Sequence, residues 1–358
     1  MKYFIILLFF VLVVENAWPV NTEVKGFIAL DLLKIVKENK KETSFQTGIG
    51  VLDLKFYATH DDLSAKIKLD LDDSKIDEAY NIFEEANISW RISNYLKITA
   101  GKGLVPFHQK HFGVIESSYV DGGSVLGAEN SWRDQDNKLL TIISIGNYNM
   151  NVINHMTFYG DSKQVEKDEF NQPKIDPIKD EITYTRAQKF RTDNERGFAD
   201  KIQIFMGPYS IYTSGIYYFN DIHPKESWAV DIGGNYKKDK FEIWTEAMYG
   251  FHSTHPKAKY ASCKQYEKFF QLGGELYLTH LINLLTNFEF ILVTDNTWTG
   301  PQNKDNNFKL AVGTKFKVRK NGFFVVGILG EKKHRWINNQ SLDSKKAMEI
   351  AAKFSFWF

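Results

Sequence analysis

Charged residues recur at every second position in several short stretches of the sequence. Lys66 and Lys68 alternate with alanine, isoleucine and leucine, and Arg91 lies in a second run of the same kind. Side chains along a β-strand point alternately to opposite faces, so each run predicts a strand with one charged face and one apolar face. Lysine and arginine are rarely buried without a partner, so the charged faces should contact water. There they would attract ions.

No catalytic motif accompanies these charges. The sequence contains no Gly-x-Ser-x-Gly elbow, no His-Glu-x-x-His and no P-loop. His108 and His111 have a spacing that could bind a metal, and the acidic stretch 70–78 could hold a divalent cation. No further ligand is marked near the histidines, and charged loops are usually solvated, so we predict no metal, no cofactor and no enzymatic activity.

Composition narrows the class of protein. The chain has 358 residues, of which 43% are hydrophobic, 25% charged and 15% aromatic, and its formal net charge is +1. Such a balance provides no basic excess for nucleic acid, so no nucleic-acid partner is expected. Cys263 is the single cysteine, which excludes an intrachain disulfide framework. Beyond Val20 no apolar run approaches the roughly 18 residues that a membrane-spanning helix needs.

The start of the chain has the pattern of a secretory signal. Lys2 is followed by an almost wholly apolar stretch up to Val14, and a polar break comes at Glu15 and Asn16. The apolar core is too short to span a bilayer as a helix, which favours cleavage over anchoring. We therefore predict a signal peptide over 1–17 and one domain over 18–358.

The remainder is organised in alternating runs joined by short turns. Seven pairs of runs read as hairpins, and one unpaired run lies at each end, which predicts sixteen strands. The Asn-Gly at Asn321 is the strongest hairpin signal. The unpaired runs are 24–33 and 347–358, and the pairs are 45–57 with 63–71, 83–92 with 95–101, 139–146 with 151–160, 198–206 with 209–219, 228–236 with 241–250, 269–279 with 287–294, and 308–318 with 323–331.

This arrangement favours a closed transmembrane β-barrel. Long connections at 102–138, 161–197 and 251–268 would all emerge on one side, and a compact soluble domain rarely carries such loops. A lysine or arginine on the lipid face would cost about 2–4 kcal/mol at mid-depth, so the charged faces should point inward. A sixteen-strand barrel is too wide for side chains to fill, so its interior should hold water. A soluble antiparallel sandwich remains the alternative at this point.

The last run carries a resemblance to a known family. Its apolar positions include Met348, Ile350, Phe354 and Phe356, and it ends at Phe358. This resembles the closing strand of Gram-negative outer-membrane β-barrels, whose terminal aromatic residue is recognised by the assembly machinery. The strand count and the long connection after the fifth strand are similar to those of sixteen-stranded porins, and the stretch 90–107 weakly resembles the phosphate-selective porin family.

The porin resemblance implies a constriction. In that family the loop after the fifth strand folds into the lumen and presents acidic residues to a basic patch on the facing wall. The acidic Pro-Glu-Phe-Gly-Gly type of loop sequence is absent here, and the stretch 119–123 is a loose echo of it. Opposed charges in a narrow aqueous passage create a transverse field that favours polar solutes. Carried over to this chain, the basic wall is Lys66, Lys68, Arg91 and Lys97, and the acidic loop residues are Glu116 and Asp121.

The resemblance also implies function and partners. We expect an outer-membrane porin through which small hydrophilic solutes or ions diffuse, surrounded by outer-membrane lipid and lipopolysaccharide. Porins of this layout usually form homotrimers. Two alternatives stay open: a structural or adhesive barrel with a plugged lumen, and an outer-membrane barrel enzyme on fewer strands.

Overall fold

Sixteen strands form one closed antiparallel barrel in the part of the chain that the computed structural model describes. That part comprises 20–38, 41–71, 83–107, 138–160, 195–220, 225–253, 264–296, 303–319, 321–337 and 340–358, together with four two-residue strands. Each barrel strand pairs with its neighbour in sequence, and β1 also pairs with β20. The predicted sixteen-strand all-β barrel is therefore confirmed.

The barrel strands follow one another in chain order, and four two-residue strands, β8 to β11, lie between β7 and β12. The barrel strands are β1 Asn21–Glu38, β2 Lys41–His60, β3 Leu63–Asp70, β4 Phe83–Ser93, β5 Leu96–Gly103, β6 Lys138–Asn147, β7 Val152–Gly160, β12 Glu195–Met206, β13 Tyr209–Asn220, β14 Lys225–Lys238, β15 Phe241–Ser253, β16 Lys264–Tyr277, β17 Ile282–Asn296, β18 Asn303–Arg319, β19 Gly322–Ile337 and β20 Gln340–Trp357. In the connection between β7 and β12, β8 Gln164–Val165 pairs with β11 Tyr184–Thr185, and β9 Ile175–Asp176 pairs with β10 Glu181–Ile182. A single 3-10 turn, Tyr148–Met150, joins β6 to β7.

The structure corrects one predicted turn. The sequence pattern placed the turn between the sixth pair of runs near Asn283, but Asn283 lies within β17 and the turn spans 278–281. The hydroxyl of Thr279 accepts hydrogen bonds from the backbone N–H groups of Leu281 and Ile282, at 3.1 Å and 3.0 Å. The run of leucines around this turn hid it, because leucine is not a turn residue.

The outward face of the barrel is apolar. Alternate residues such as Ile88, Ile232 and Val312 are 61%, 59% and 54% exposed, respectively. So much exposed apolar surface is unfavourable in water, so this face requires hydrocarbon around it. Among the described residues no helix is long and apolar enough to cross a membrane.

Two bands of aromatic side chains border this apolar face. Tyr236 lies against Tyr209 and Phe241 at the turn end, with ring centroids 4.6 Å and 5.4 Å away. Eight residues earlier on β14, Trp228 packs on Tyr249 at 5.6 Å. Eight residues of strand span about 26 Å, which corresponds to roughly 20 Å along the axis of a tilted barrel. This axial distance is close to the height of about 25 Å that the apolar band between aromatic girdles has in such barrels.

The chain end closes the barrel. The N–H of Gly26 donates to the carbonyl of Phe358 at 2.8 Å, and the N–H of Phe358 donates to the carbonyl of Gly26 at 3.1 Å. The Phe358 ring lies over Gly26, where a side chain would overlap it. The terminal residue therefore pairs with the first strand and leaves no open edge there.

Candidate pore site

The lumen is lined by charged side chains that alternate with the outward apolar ones. On β3, Lys66 and Lys68 point inward between the outward Ala65, Ile67 and Leu69, as predicted from the alternation. Since paired residues of neighbouring strands share a face, the register carries this inward orientation around the barrel.

Lys66 and Lys68 each form an ion pair on the inner wall. The ammonium of Lys66 lies 2.7 Å from both carboxylate oxygens of Glu85 on β4. The ammonium of Lys68 lies 3.1 Å from Asp53 Oδ2 on β2. The Lys66 side chain is 30% exposed and the Lys68 side chain 15% exposed, so both remain within reach of water in the lumen.

Arg91 and Lys97 lie elsewhere on this side of the barrel. They are paired directly across β4 and β5, and both side chains are exposed. Lys66 is paired with Asn87, which is four residues, or about 13 Å of strand, from Arg91. The structure thus brings Lys66 and Lys68 together at mid-wall and places Arg91 and Lys97 beside the turn of the β4–β5 hairpin. Glu116 and Asp121 lie outside the described residues, as do His108 and His111.

Carboxylates face the lumen on the opposite wall. β15 lies eight strands around the ring of sixteen from β3, and from β15 to β19 the inward glutamates are Glu242, Glu246, Glu275, Glu289 and Glu331. All except Glu242 are at most 7% exposed. Glu275 accepts hydrogen bonds from Lys315 at 3.0 Å and Asn283 at 2.6 Å. The lumen therefore has lysines within reach of water on one side, and on the other it has enclosed carboxylates interspersed with the inward Lys309 and Lys315.

The chain enters the lumen directly after β5. Gly101 has a φ of +135°, and a Cβ there would overlap the carbonyl oxygen of Ala86, so this position requires glycine. Beyond it Val105 and Phe107 are 2% and 1% exposed. They form an apolar latch, packed in one cluster with inward residues of β6, β7 and β12 to β16: Leu140, Tyr159, Ala199, Ile216, Ala229, Met248 and Phe269.

The apolar latch supports the prediction that this connection folds inward. The described part ends at Phe107, and the remainder up to Asp136 and Asn137 lies outside the described residues. Burying a valine and a phenylalanine stabilises a structure by about 1.5–3 kcal/mol each, so the first turn of the connection is held on the wall by packing. The sequence carried a signal for this in the apolar stretch Leu104-Val105-Pro106-Phe107, which follows the strand directly.

Three inward aromatic rings lie on glycines of the next strand. Tyr159 covers Gly197, Tyr212 covers Gly233, and Trp244 covers Gly273. Each ring and its glycine are directly paired across neighbouring strands. Because glycine has no side chain, each ring can pack directly against the neighbouring strand, and all three rings are at most 5% exposed.

Two inward residues near the basic wall were missed by sequence reasoning. Lys55 and Asp53 alternate with the outward Leu52, Leu54 and Phe56, so the same alternation signal was present on β2. Lys25 on β1 is paired directly with Lys55. These residues extend the inward lysines from β3 to β1.

Comparison with known proteins rests on structure. No family model matches the chain, and no curated protein matches its sequence. Solved structures superpose over nearly the whole length. The outer membrane channel DcaP of Acinetobacter baumannii has a TM-score of 0.62 at 15% identity, covering 94% of this chain and 97% of that one. The anion-selective porin from Comamonas acidovorans has a TM-score of 0.62 at 12% identity, covering 94% of this chain and 100% of that one.

The chain has the fold of the sixteen-stranded outer-membrane porins. OmpT of Vibrio cholerae shares this fold too, with a TM-score of 0.60 at 9% identity over 96% of this chain and 99% of that one. The porin fold and the apolar outer surface together place the barrel in an outer membrane, as the sequence predicted. At these identities the likeness concerns the fold alone.

Proposed function

We propose that this protein is a passive outer-membrane channel for small hydrophilic solutes and ions, acting without catalysis. The single observation that carries the proposal is a closed ring of sixteen strands with an apolar outside and inward charges such as Lys66 and Lys68 that water can reach. A ring of this size is too wide for wall side chains to fill. The porin fold of the solved neighbours supports the same reading.

In this proposal Lys66 and Lys68 line the constriction at mid-wall, and Arg91 and Lys97 extend the basic wall toward the turn of the β4–β5 hairpin. The acidic loop residues Glu116 and Asp121 are proposed to face it, and the apolar latch supports an inward course for the loop that carries them. The wall glutamates from β15 to β19 lie across the lumen from this wall, and Lys309 and Lys315 offset part of their negative charge. Opposed charges across a narrow lumen favour polar over apolar solutes.

Location and assembly complete the proposal. Residues 1–17 would be removed as a signal peptide, and the outward apolar face of the domain 18–358 would contact outer-membrane lipid and lipopolysaccharide. We propose a homotrimer, a state supported by the solved trimer form of OmpT from Vibrio cholerae, which shares the fold at 8% identity.

Reconstitution in planar bilayers tests the channel. Purified protein should give stepwise conductance, and the fourfold reversal of Lys66, Lys68, Arg91 and Lys97 to glutamate should shift the reversal potential in a salt gradient toward cation preference. Absence of conductance from correctly folded protein would overturn the channel. Unchanged reversal potentials would contradict the proposed role of the basic wall and leave the channel proposal in place.

A second function has one observation in its favour. Glu349 and Lys353 face inward on β20 yet are each 1% exposed, as expected where part of the lumen is filled. A barrel filled throughout would serve as a structural or adhesive protein. The bilayer experiment separates the two functions, because a plugged barrel inserts without conducting.

A further inference from the structure

Two polar side chains interrupt the apolar outward face on neighbouring strands. Asp200 of β12 is paired directly with Met156 of β7, and Asn154 of β7 is paired directly with Ile202 of β12. The side-chain amide of Asn154 donates a hydrogen bond to Asp200 Oδ1 at 2.9 Å, diagonally across the two strands. We call Asp200 and Asn154 the polar pair.

The polar pair points away from the lumen. Ala199 and Lys201, the chain neighbours of Asp200, both face inward. Ala199 is 0% exposed in the cluster that contains the apolar latch, and the Lys201 ammonium lies 4.6 Å from the ring centroid of the inward Tyr212. Side chains alternate along a strand, so Asp200 faces outward. Asn154 shares this face, because diagonal neighbours lie on the same side of a sheet.

Apolar side chains lie on both sides of Asp200 along its own strand. Phe198 comes before it, and Ile204 and Met206 follow toward the turn, with exposed fractions of 39%, 44% and 50%. At about 3.3 Å per residue, Asp200 lies roughly 7 Å of strand from Phe198 and roughly 20 Å from Met206. The carboxylate is therefore inside the band of outward apolar residues.

A carboxylate in this band is costly when lipid surrounds it. Hydrocarbon offers no hydrogen bonds, and ionisable side chains within membranes almost always face protein or water. A lysine could extend its charge toward the membrane surface along its four-carbon stem, whereas aspartate has a single methylene. Within the described part of the chain, the bond between the two side chains is the one hydrogen bond they make. It leaves Asp200 Oδ2 as an acceptor and one amide N–H of Asn154 as a donor.

We propose that the outward face of β7 and β12 at the polar pair is where copies of this chain meet in the homotrimer. A donor and an acceptor lie side by side on this face, so the Asn154 amide of one copy can donate to the Asp200 carboxylate of the next. In a closed ring of three copies, each copy gives one such bond and receives one. Hydrogen bonds between polar side chains also link transmembrane helices. The inference rests on the proposed homotrimer and names the face through which it assembles.

Cysteine cross-linking tests the face. Cys263, the single native cysteine, is first replaced by serine, so that each variant has one thiol. Ile202→Cys places this thiol beside Asn154, and a short thiol cross-linker should join the copies into covalent dimers on denaturing gels. Ile328→Cys is the matched control, because Ile328 is 51% exposed on β19, seven strands around the ring from β12. It should give several times less dimer.

Replacement of Asp200 separates the contact from the fold. Asp200→Leu removes a charge from the apolar band, so the heat stability of the single barrel should stay equal or rise. The trimer band in SDS gels should nevertheless dissociate at a lower temperature than that of the wild-type protein. Asp200→Asn keeps a hydrogen-bonding side chain and should retain most of the trimer. Lys268→Leu is the control, since it removes an exposed outward charge on β16, four strands from β12, and should leave the trimer unchanged.

Each failure has its own meaning. As much cross-linking through Ile328→Cys as through Ile202→Cys would overturn the proposed face and leave the homotrimer in place. A trimer of Asp200→Leu that resists heat as well as the wild-type trimer would overturn the role of the polar pair. Wild-type protein that stays monomeric in membranes and in detergent would overturn the homotrimer itself, and conductance by that monomer would leave the channel function in place.

Discussion

Lys66 of β3 binds Glu85 of β4 through both carboxylate oxygens, each 2.7 Å from the ammonium nitrogen. Glu85 is paired in register with Lys68, yet it binds Lys66 on the diagonal, and Lys68 binds Asp53 of β2 instead. The inner wall of β2 to β4 is thus a network in which each of these two lysines has its own carboxylate. The charge that a passing ion meets depends on these pairs as well as on the number of lysines.

Removing one carboxylate from this network should make the lumen more positive. Glu85→Gln leaves Lys66 without its ion pair, and the reversal potential in a salt gradient should shift toward anion preference. The free energy of unfolding should fall by no more than about 1 kcal/mol, because the pair is partly exposed. Glu23→Gln is the control, since its pair with Lys25 is more than half exposed and should shift the potential less. A larger effect of Glu23→Gln would contradict the mid-wall location of the selective charges.

The apolar latch should contribute to barrel stability. Phe107→Ala removes a ring that is 1% exposed, and such truncations cost about 3–5 kcal/mol in well-packed sites. We expect a lower free energy of unfolding in denaturant titrations, and noisier open-channel current as the start of the connection loosens. Leu104→Ala, one residue before the latch and half-buried, should cost clearly less. Equal losses for the two variants would show that Phe107 has no special role in holding the connection.

The glycine beneath Trp244 should control the width of the lumen. In Gly273→Val the new side chain overlaps the indole, which must then move off the wall. The indole faces the lumen, so its displacement should narrow the passage and lower the single-channel conductance. Gly215→Val is the control, because a Cβ at Gly215 meets nothing within 4 Å. The double variant with Trp244→Ala should recover conductance. Failure of the double variant to recover it would show that the ring does not narrow the pore.

Closure of the barrel should depend on the contact between Gly26 and Phe358. Gly26→Leu places a side chain where the Phe358 ring lies, so refolding into detergent should be slower and less complete. The refolding yield is measured as the fraction of protein that stays folded in SDS without heating. Refolding in vitro removes any dependence on assembly machinery. Gly215→Leu is the matched control, because Gly215 faces outward and a Cβ there meets nothing within 4 Å. This variant should refold like the wild-type protein. Equal yields for both variants would rule out a role for this contact in closure.

The alternation of residues was enough to predict the architecture. Because side chains along a strand have a period of two, runs such as Leu63 to Leu69 predicted both a strand and its apolar face. The number of hairpins predicted sixteen strands. The turn near Asn283 was misplaced by a few residues, since the leucines around 278–281 gave no turn signal. The inward orientation of Lys66 and Lys68 followed from the cost of placing charge in lipid.

What the sequence determined by itself is the barrel, its apolar outside and the residues that face its interior, because these follow from local periodicity and short turns. What only the tertiary structure decided is which inward residues meet. The pairing of Lys66 with Glu85, the row of Lys25, Lys55 and Lys68, and the packing of Phe107 onto strands far along the chain all depend on register and closure. Those are set by contacts between strands, and a one-residue shift in register would replace every one of them.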